Sequence, residues 1–241
     1  MKVTAVFESE DFVAFNKPSG LLSIPDRYNA SLPNLYALIQ KKYGKLYIVH
    51  RLDKDTSGLI CFARNEESHR HLSLLFQNRE VTKFYLAIVQ GVPANPVQSI
   101  HAPIDAHPVQ KGKMYVSRKG KPAHTDYEIL KAWNNFALLK IQTHSGRTHQ
   151  IRVHLQHIGH PIVGDVFYGS GESLFLSSFK RNFKQSEKEE NERPLLNRLA
   201  LHAASLQFRT ADGHLLNLEA PLPKDMDAVA KQLSRWNQAN A

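Results

Sequence analysis

The chain has 241 residues and is basic: Lys and Arg number 31 against 22 Asp and Glu, a formal net charge of +9. This balance favours a polyanionic partner, nucleic acid before an anionic membrane surface. No run approaches the ~18 apolar residues of a transmembrane helix, and the N-terminus turns acidic where a signal peptide would stay apolar. A single cysteine, Cys61, excludes an intrachain disulfide. We therefore expect a cytoplasmic protein that makes no contact with a membrane.

The first third of the chain predicts strands and helices in alternation. Apolar runs at 3–7 and 12–15 indicate a hairpin, which the Pro and Gly of 16–20 end. Apolar spacing predicts a helix over 32–43, closed by Gly44. The next predicted elements are a strand at 59–63, a helix at 66–77 and a strand at 81–89.

The remainder begins with a turn-rich basic stretch, 95–122, which we interpret as hairpin or loop. The pattern then predicts strands at 124–130 and 136–143, a helix at 147–158, strands at 199–208 and 214–220, and a helix at 221–236. Residues 180–194 are charged and poor in apolar side chains, and they form the larger part of an expected surface insertion at 169–194.

Strands outnumber helices, and short connections join several of them. This favours the α+β class with a largely antiparallel mixed sheet and flanking helices and loops. We see no repeat and no linker. We therefore expect one domain of catalytic size over 1–241.

The most informative segment is 50–58, in which Arg51, Asp53 and Asp55 occupy alternate positions. If the chain is extended there, the three side chains share one face. Apolar runs precede and follow the segment, and polar groups near a core are costly unless they are paired or used. A carboxylate beside an arginine stays ionised and can act as a nucleophile or a base.

Three other interpretations of this segment remain open. The first is a surface salt bridge beside a turn. The second is an aspartic protease, whose Asp-Thr-Ser-Gly turn matches 55–58, although one copy would require a dimer. The third is a phosphatase of the haloacid dehalogenase type, whose Asp-x-Asp-x-Thr motif resembles 53–56 with the threonine one position early.

A second cluster spans 144–160 and contains five histidines. His154 and His157 have i, i+3 spacing, but without a His-Glu-x-x-His arrangement or a cysteine ligand we expect no metal. Arg147 and His149 are predicted in the first helical turn, where backbone N–H groups can hold a phosphate. Arg152, next to Ile151, is a plausible ion-pair partner for Asp53.

The strand at 81–89 carries a tyrosine on its more polar face. Alternation places Lys83, Tyr85 and Ala87 on one side. A tyrosine in a strand is more often a core residue, but the opposite side is apolar, which favours a Tyr85 that faces a cleft, where it could stack on a base or hydrogen-bond to its ribose.

Together these strings resemble the RluA-type family of RNA pseudouridine synthases. The matching strings are His50-Arg51-Leu52-Asp53 through Thr56-Ser57-Gly58, Lys83-Phe84-Tyr85, the run 146–154, the run 159–165, Asn16-Lys17-Pro18-Ser19-Gly20 and Leu201-His202-Ala203. They span about residues 7 to 225 in the family's order. Many members of this family carry a small N-terminal RNA-binding domain, whereas the motifs begin almost at once here, so we expect a single catalytic domain without a separate RNA-binding one. Strings of this length are far more specific than one short motif.

The resemblance implies a pseudouridine-synthase-like fold around a central active-site cleft, and an isomerase that converts a uridine in RNA to pseudouridine without a cofactor. It implies Asp53 as the catalytic aspartate and Tyr85 as the residue that stacks on the target base. It further implies that Arg152 pairs with the aspartate, Ile151 forms an aliphatic floor, and Arg51 fills the gap left by the flipped nucleotide.

The implied partner is a stem-loop of ribosomal or transfer RNA, with no obligatory protein partner. Lys17, Arg147 and His149 are further candidates for contacts with RNA. The alternative function is a catalytically silent RNA-binding protein on the same fold. Such a protein could lose Asp53, so the presence of Asp53 favours the enzyme.

Overall fold

A computed structural model describes residues 3–185 and 191–237, and it confirms the α+β class. The helices are α1 (Leu35–Tyr43), α2 (Glu66–Gln77), α3 (Gln150–His157) and α4 (Lys224–Trp236). The strands are β1 (Ala5–Glu8), β2 (Phe12–Lys17), β3 (Tyr47–Ile48), β4 (Ser57–Ala63), β5 (Thr82–Gln90), β6 (Val97–His101), β7 (Ile104–Ala106), β8 (Met114–Val116), β9 (His124–Ala132), β10 (Phe136–Thr143), β11 (Leu201–Arg209) and β12 (Leu215–Glu219).

The chain divides into two compact units, each made from two stretches of sequence. The first contains Met1–Tyr85 and His202–Pro221, and the second contains Leu86–Leu201 and Leu222–Ala241. The single domain predicted from the sequence stays a prediction. Within the described residues, no helix is both long enough and apolar enough to cross a membrane.

In the first unit, a mixed sheet carries a core on each face. β2 lies antiparallel to β1 and β4, whereas β11 lies parallel to β4. Alternate side chains of β2 enter opposite cores, as Phe12 packs with α2 and Val13 packs with α1. Cys61 of β4 is buried, which raises the pKa of its thiol to about 12 and leaves it an inert core residue.

The helices of the first unit begin at asparagine caps. Asn34 accepts a hydrogen bond from the backbone N–H of Ala37, so α1 begins at Leu35, after the predicted start at 32. Asn65 accepts from Ser68 in the same way, and α2 has the predicted bounds. Each helix therefore presents its apolar stripe to one face of the sheet.

The second unit is built on antiparallel strands in the order β10, β9, β6, with a separate β7–β8 hairpin. Ala137, Leu139 and Ile141 of β10 are fully buried, and the residues between them are half-buried, as strand alternation requires. The hairpin and α3 share a core of Ile104, Ala123, Val153 and Tyr168. The stretch 95–122, predicted as hairpin or loop, thus contains the β7–β8 hairpin and, in addition, the edge strand β6.

The expected surface insertion at 169–194 is partly anchored in the interior. Leu174 and Phe179 are buried, and the Leu174 N–H donates to the carbonyl of Leu196 at 2.7 Å. No helix or strand is assigned in its described parts, 169–185 and 191–194. Residues 186–190 of the predicted insertion lie outside the described residues.

Candidate active site

The segment with Asp53 forms a turn in the first unit. The Thr56 N–H donates to the Asp53 carbonyl at 3.2 Å, and Lys54 and Asp55 occupy the corner. The chain is therefore not extended from Arg51 to Asp55, and the predicted common face of their side chains is wrong. Arg51 is exposed and Asp53 is half-buried.

The backbone of this turn is held by the segment 17–23. Ser23 Oγ accepts from the Leu52 N–H at 3.0 Å and donates to the Leu52 carbonyl at 2.8 Å. The Gly20 N–H donates to the Lys54 carbonyl at 2.9 Å. Ser19 Oγ donates to the Asp55 carbonyl at 2.6 Å. Hydrogen bonds on both sides of Asp53 thus fix its position, as a catalytic group requires.

Lys17 supports the same turn from inside the protein. Its side chain is fully buried, and Nζ donates to the carbonyls of Leu21, Lys54 and Pro18 at 2.7, 2.9 and 3.0 Å. A buried ammonium does not reach a phosphate on the surface. The structure therefore gives no support to an RNA contact by Lys17, which stays a prediction; the residue joins the end of β2 to the Asp53 turn.

His50 anchors the chain before the turn. Its Nε2 accepts from the Cys61 N–H at 2.9 Å, and its ring stacks on Phe76 with centroids 4.4 Å apart. Withdrawal from water, with a smaller effect of the Lys83 charge, lowers the pKa of His50 to about 3. Because Nε2 accepts, the neutral ring carries its proton on Nδ1. His50 is therefore a neutral structural residue at neutral pH.

After the turn, Gly58 permits a close approach of two strands. Its φ is +116°, and a Cβ atom there would lie 2.2 Å from the Ala203 carbonyl oxygen. Ser57 Oγ and His202 Nδ1 are 2.9 Å apart, beside the same crossing of β4 and β11. The strings 57–58 and 201–203 therefore meet in space and fix the start of β4.

Tyr85, the predicted base-stacking residue, is half-buried on β5. It packs against the core cluster that includes Leu52, the neighbour of Asp53 in sequence, and Ala203. The first unit thus holds Arg51, Asp53 and Tyr85. Their roles toward a base stay predictions.

Ile151 and Arg152 lie in the second unit, in the first turn of α3, and both are buried. Arg152 donates from Nε and Nη2 to the two carboxylate oxygens of Asp165, at 2.7 and 2.8 Å. Both side chains are almost completely buried, at 3% and 0% exposure. The pairing of Arg152 with Asp53 stays a prediction, whereas Asp165 is a partner that the sequence reasoning missed.

Asp165 also organises the turn in which it lies. Its Oδ1 accepts from the N–H groups of Phe167 and Tyr168 at 2.9 and 3.1 Å. The rings of the same two residues lie 5.5 and 5.0 Å from the Arg152 guanidinium carbon. Asp165 is the last residue of the string 159–165, which carries part of the family resemblance. The sequence therefore marked Asp165 as a residue of interest but did not show that it pairs with Arg152.

Arg147 and His149 precede α3 and do not lie in its first turn as predicted. His149 has a left-handed φ of 55°, so the helix begins only at Gln150. Arg147 donates from Nε to the Pro122 carbonyl at 3.1 Å. His149 Nδ1 lies 2.8 Å from the Tyr168 hydroxyl. Their contacts with RNA stay predictions.

The Gln150 side chain explains this placement. Its Oε1 accepts from the Arg147 N–H at 3.1 Å, and its Nε2 donates to the His124 carbonyl at 2.9 Å. Gln150 is buried, and it ties the loop before α3 to β9. The Arg147 N–H is therefore used inside the protein, and the predicted phosphate site does not include it.

The two histidines of α3 have different surroundings. His154 is fully buried, with Nε2 2.8 Å from the Ala102 carbonyl and Nδ1 2.9 Å from Thr125 Oγ1. Burial lowers the pKa of His154, which favours the neutral ring. His157 is exposed. The two side chains therefore occupy different environments, so the structure gives no support to a shared metal.

A family model described as RNA pseudouridylate synthase matches residues 11–157. The chain is 35% identical to ribosomal large subunit pseudouridine synthase D of Haemophilus ducreyi, over 95% of this chain and 70% of that protein. It is 34% identical to the dual-specificity RNA pseudouridine synthase RluA of Vibrio vulnificus, over 88% of this chain and 79% of that protein.

A solved structure of human RNA pseudouridylate synthase domain containing 4 has the same fold. It matches with a TM-score of 0.73 at 28% identity and covers 98% of this chain and 94% of that chain. The matched segment 11–157 includes Arg51, Asp53, Tyr85, Ile151 and Arg152. The chain belongs to the RNA pseudouridylate synthase family.

Proposed function

We propose that the protein isomerises uridine to pseudouridine in ribosomal RNA, with Asp53 as the catalytic carboxylate. The observation that carries this proposal is the turn at Asp53, whose backbone is held through Leu52, Lys54 and Asp55. A half-buried carboxylate on a fixed backbone is suited to attack or deprotonate a bound ribose. The silent RNA-binding alternative gives no reason for such positioning.

The reaction needs no oxidant, reductant or external group, because substrate and product are isomers. The bond from ribose C1′ to uracil N1 breaks, the uracil turns, and a bond forms from C1′ to C5. C5 loses its proton, and N1, which carries no hydrogen in uridine, gains one, so the atoms of substrate and product balance. We therefore propose that the enzyme acts without a cofactor. We also propose that it needs no obligatory protein partner and that it acts in the cytoplasm.

The target base must leave the RNA stack before Asp53 can reach its ribose. Extrusion of a base costs a few kcal/mol. We propose that Tyr85 stacks on the extruded uracil, that Ile151 supports it, and that Arg51, which is exposed, fills the gap in the RNA. The net charge of +9 supports contacts with phosphates that offset part of this cost.

Ribosomal RNA is the preferred substrate in this proposal because several relatives at 34–36% identity are named for the large ribosomal subunit. Transfer RNA is the second candidate, because the resemblance to the RluA-type family implies a stem-loop of ribosomal or transfer RNA as the target. Mapping of pseudouridines in total RNA from cells with and without the gene tests both. Loss of a site in ribosomal RNA supports the first, and loss of sites only in transfer RNA contradicts it.

The catalytic role of Asp53 is tested by tritium release from RNA labelled at uracil C5. We expect Asp53→Asn to reduce release to background while RNA binding stays within a few-fold of wild type. Asp55→Asn is the matched control, because it changes a carboxylate two residues away in the same turn. Full activity of Asp53→Asn would overturn the proposal.

Two chemical roles of Asp53 can be separated with uridine deuterated at C2′. A base that removes the C2′ proton gives a primary isotope effect in single-turnover reactions, provided that proton transfer is rate-limiting. A nucleophile that attacks C1′ gives none. RNA that carries both tritium at uracil C5 and deuterium at ribose C2′ serves both assays.

A further inference from the structure

A second group of chemically active side chains lies in the second unit, among residues to which the proposed isomerisation assigns no role. This group, here called the His124 cluster, consists of His124, Asp126 and His144. His124 and Asp126 are two residues apart on β9, so they share a face of the strand. His144 directly follows β10, and its N–H donates to the His124 carbonyl at 3.1 Å. Strand pairing therefore brings the three side chains together.

The three side chains already contact one another. His124 Nε2 lies 2.8 Å from Asp126 Oδ1, and His144 Nε2 lies 2.6 Å from Asp126 Oδ2. One possible ligand atom from each residue, a nitrogen or an oxygen, lies within 4.8 Å of the other two. The side chains are 33%, 33% and 35% exposed, so an ion from solvent can reach them.

Two imidazole nitrogens and one carboxylate oxygen are suitable ligands for a divalent cation of borderline softness, such as Zn²⁺. Ligand carboxylates in such sites are usually held by a further hydrogen bond. Ser99 Oγ supplies one here, because it donates to Asp126 Oδ1 at 2.6 Å. The cluster therefore contains three ligand groups and an outer-shell support for one of them.

The hydrogen bonds of the cluster show what an ion must displace. Each Nε2 lies within hydrogen-bond distance of an Asp126 carboxylate oxygen, which can only accept, so each Nε2 carries a proton without the ion. A bound cation takes the place of these protons, because imidazole binds a metal through an unprotonated nitrogen. The His124 and His144 rings stack with centroids 4.1 Å apart, and His101 stacks on His124 at 3.9 Å, which restrains the rings near the ligand atoms.

We propose that His124, Asp126 and His144 bind one divalent cation of the Zn²⁺ class, with water completing the coordination. The ion joins β9 to the segment that leads from β10 into α3. This site is separate from the proposed catalytic role of Asp53, and the isomerisation does not require it. Its expected effect is on the stability of the second unit.

The experiment uses the full chain, stripped of metal with a chelator and then titrated with Zn²⁺ by calorimetry and by competition with a chromogenic chelator. We expect one tight site per chain and a higher unfolding temperature with bound Zn²⁺. Asp126→Asn and His144→Asn remove ligands and should abolish that site. Ser99→Ala removes only the outer-shell support and should weaken binding about tenfold.

His157→Asn is the matched control, because it removes an exposed histidine outside the cluster. It should leave the tight site intact, and Co²⁺ should give the same visible absorption in this variant as in wild type. Absence of tight binding in wild type would overturn the proposal. Equal binding by wild type and Asp126→Asn would also overturn it. Tritium release by Asp126→Asn should match wild type, which separates this test from that of the proposed function.

Discussion

The Lys17 ammonium donates to the backbone carbonyl of Lys54 at 2.9 Å, one residue after Asp53. The same ammonium holds the carbonyls of Pro18 and Leu21, and its side chain is fully buried. A charge in this position is stabilised by three carbonyl dipoles in place of water. The link between β2 and the Asp53 turn is therefore both a stability element and a positioning element.

The first prediction concerns Lys17→Met, which keeps much of the side-chain volume but removes the donor. Carbonyls left without a donor cost roughly 1–3 kcal/mol each, so we expect a loss of at least about 2 kcal/mol in the free energy of unfolding, measured in urea. Pseudouridine formation should fall more than RNA affinity. Lys54→Met changes an exposed side chain in the same turn and is the control. It should change the free energy of unfolding and the rate of pseudouridine formation only slightly.

The second prediction concerns the pH dependence of stability. The pKa of His50 is about 3 in the folded protein, below the ordinary value of 6.5, so the unfolded state binds more protons between these values. The contribution of His50 is therefore complete above pH 6.5 and is lost as the pH falls toward 3, by up to about 1.4 kcal/mol per pH unit. Urea denaturation at a series of pH values measures this slope.

His50→Gln removes the titrating group. Between pH 6 and pH 4 it should reduce the slope of the free energy of unfolding against pH by up to about 1.4 kcal/mol per pH unit, which corresponds to one proton. Substitution of the exposed His157 with Asn is the comparison. A slope in His50→Gln equal to that of wild type would contradict the assignment of a neutral ring to His50.

The third prediction uses two bidentate ion pairs that differ in burial. Arg152 pairs with Asp165 at 3% and 0% exposure, and Arg198 pairs with Asp225 at 17% and 39%. Removal of one partner from a buried pair costs about 3–5 kcal/mol, whereas an exposed pair contributes about 0–1 kcal/mol. Asp165→Asn should therefore lower the free energy of unfolding far more than Asp225→Asn, as chemical denaturation would reveal. Equal losses would mean that burial does not decide the cost.

The fourth prediction concerns two glycines with positive φ. A Cβ atom on Gly58 would lie 2.2 Å from the Ala203 carbonyl oxygen, whereas a Cβ on Gly213 would meet nothing within 4 Å. Gly213→Ala should cost only the backbone strain of about 1–2 kcal/mol. Gly58→Ala must also separate β4 from β11, so we expect it to be produced mainly as unfolded protein. Circular dichroism and the soluble yield compare the two variants; a well-folded Gly58→Ala would contradict the close approach.

The helix α2 was predictable to its ends because local signals agree. Asn65 caps the first turn, and Leu72 and Leu75 lie on one face toward the core. The start of α3 was not predictable in the same way. The sequence predicted a helix from 147, but His149 takes a left-handed conformation and Gln150 ties the preceding loop to β9. Contacts that are distant in sequence therefore decided where this helix begins.

The edge strand β6 was missed for a related reason. Its sequence, Val97–His101, contains three polar residues and leaves Val97 exposed, so it lacks the apolar signal of a central strand. It forms a strand because β9 offers a partner for its backbone. Almost any residue can form the backbone hydrogen bonds of a strand. The local sequence pattern therefore does not predict which segment will pair with the free edge of a sheet.

By itself, the sequence determined the class of the fold, the family and the identity of the candidate catalytic carboxylate, because long motif strings and apolar periodicity are local properties. Only the tertiary structure decided that Lys17 lies under the Asp53 turn and that Asp165 is the bidentate partner of Arg152. Residues 17 and 54 are far apart in the chain, and so are 124 and 144 of the His124 cluster. Their chemistry depends on distances of a few ångströms, which arise only when strands and turns assemble.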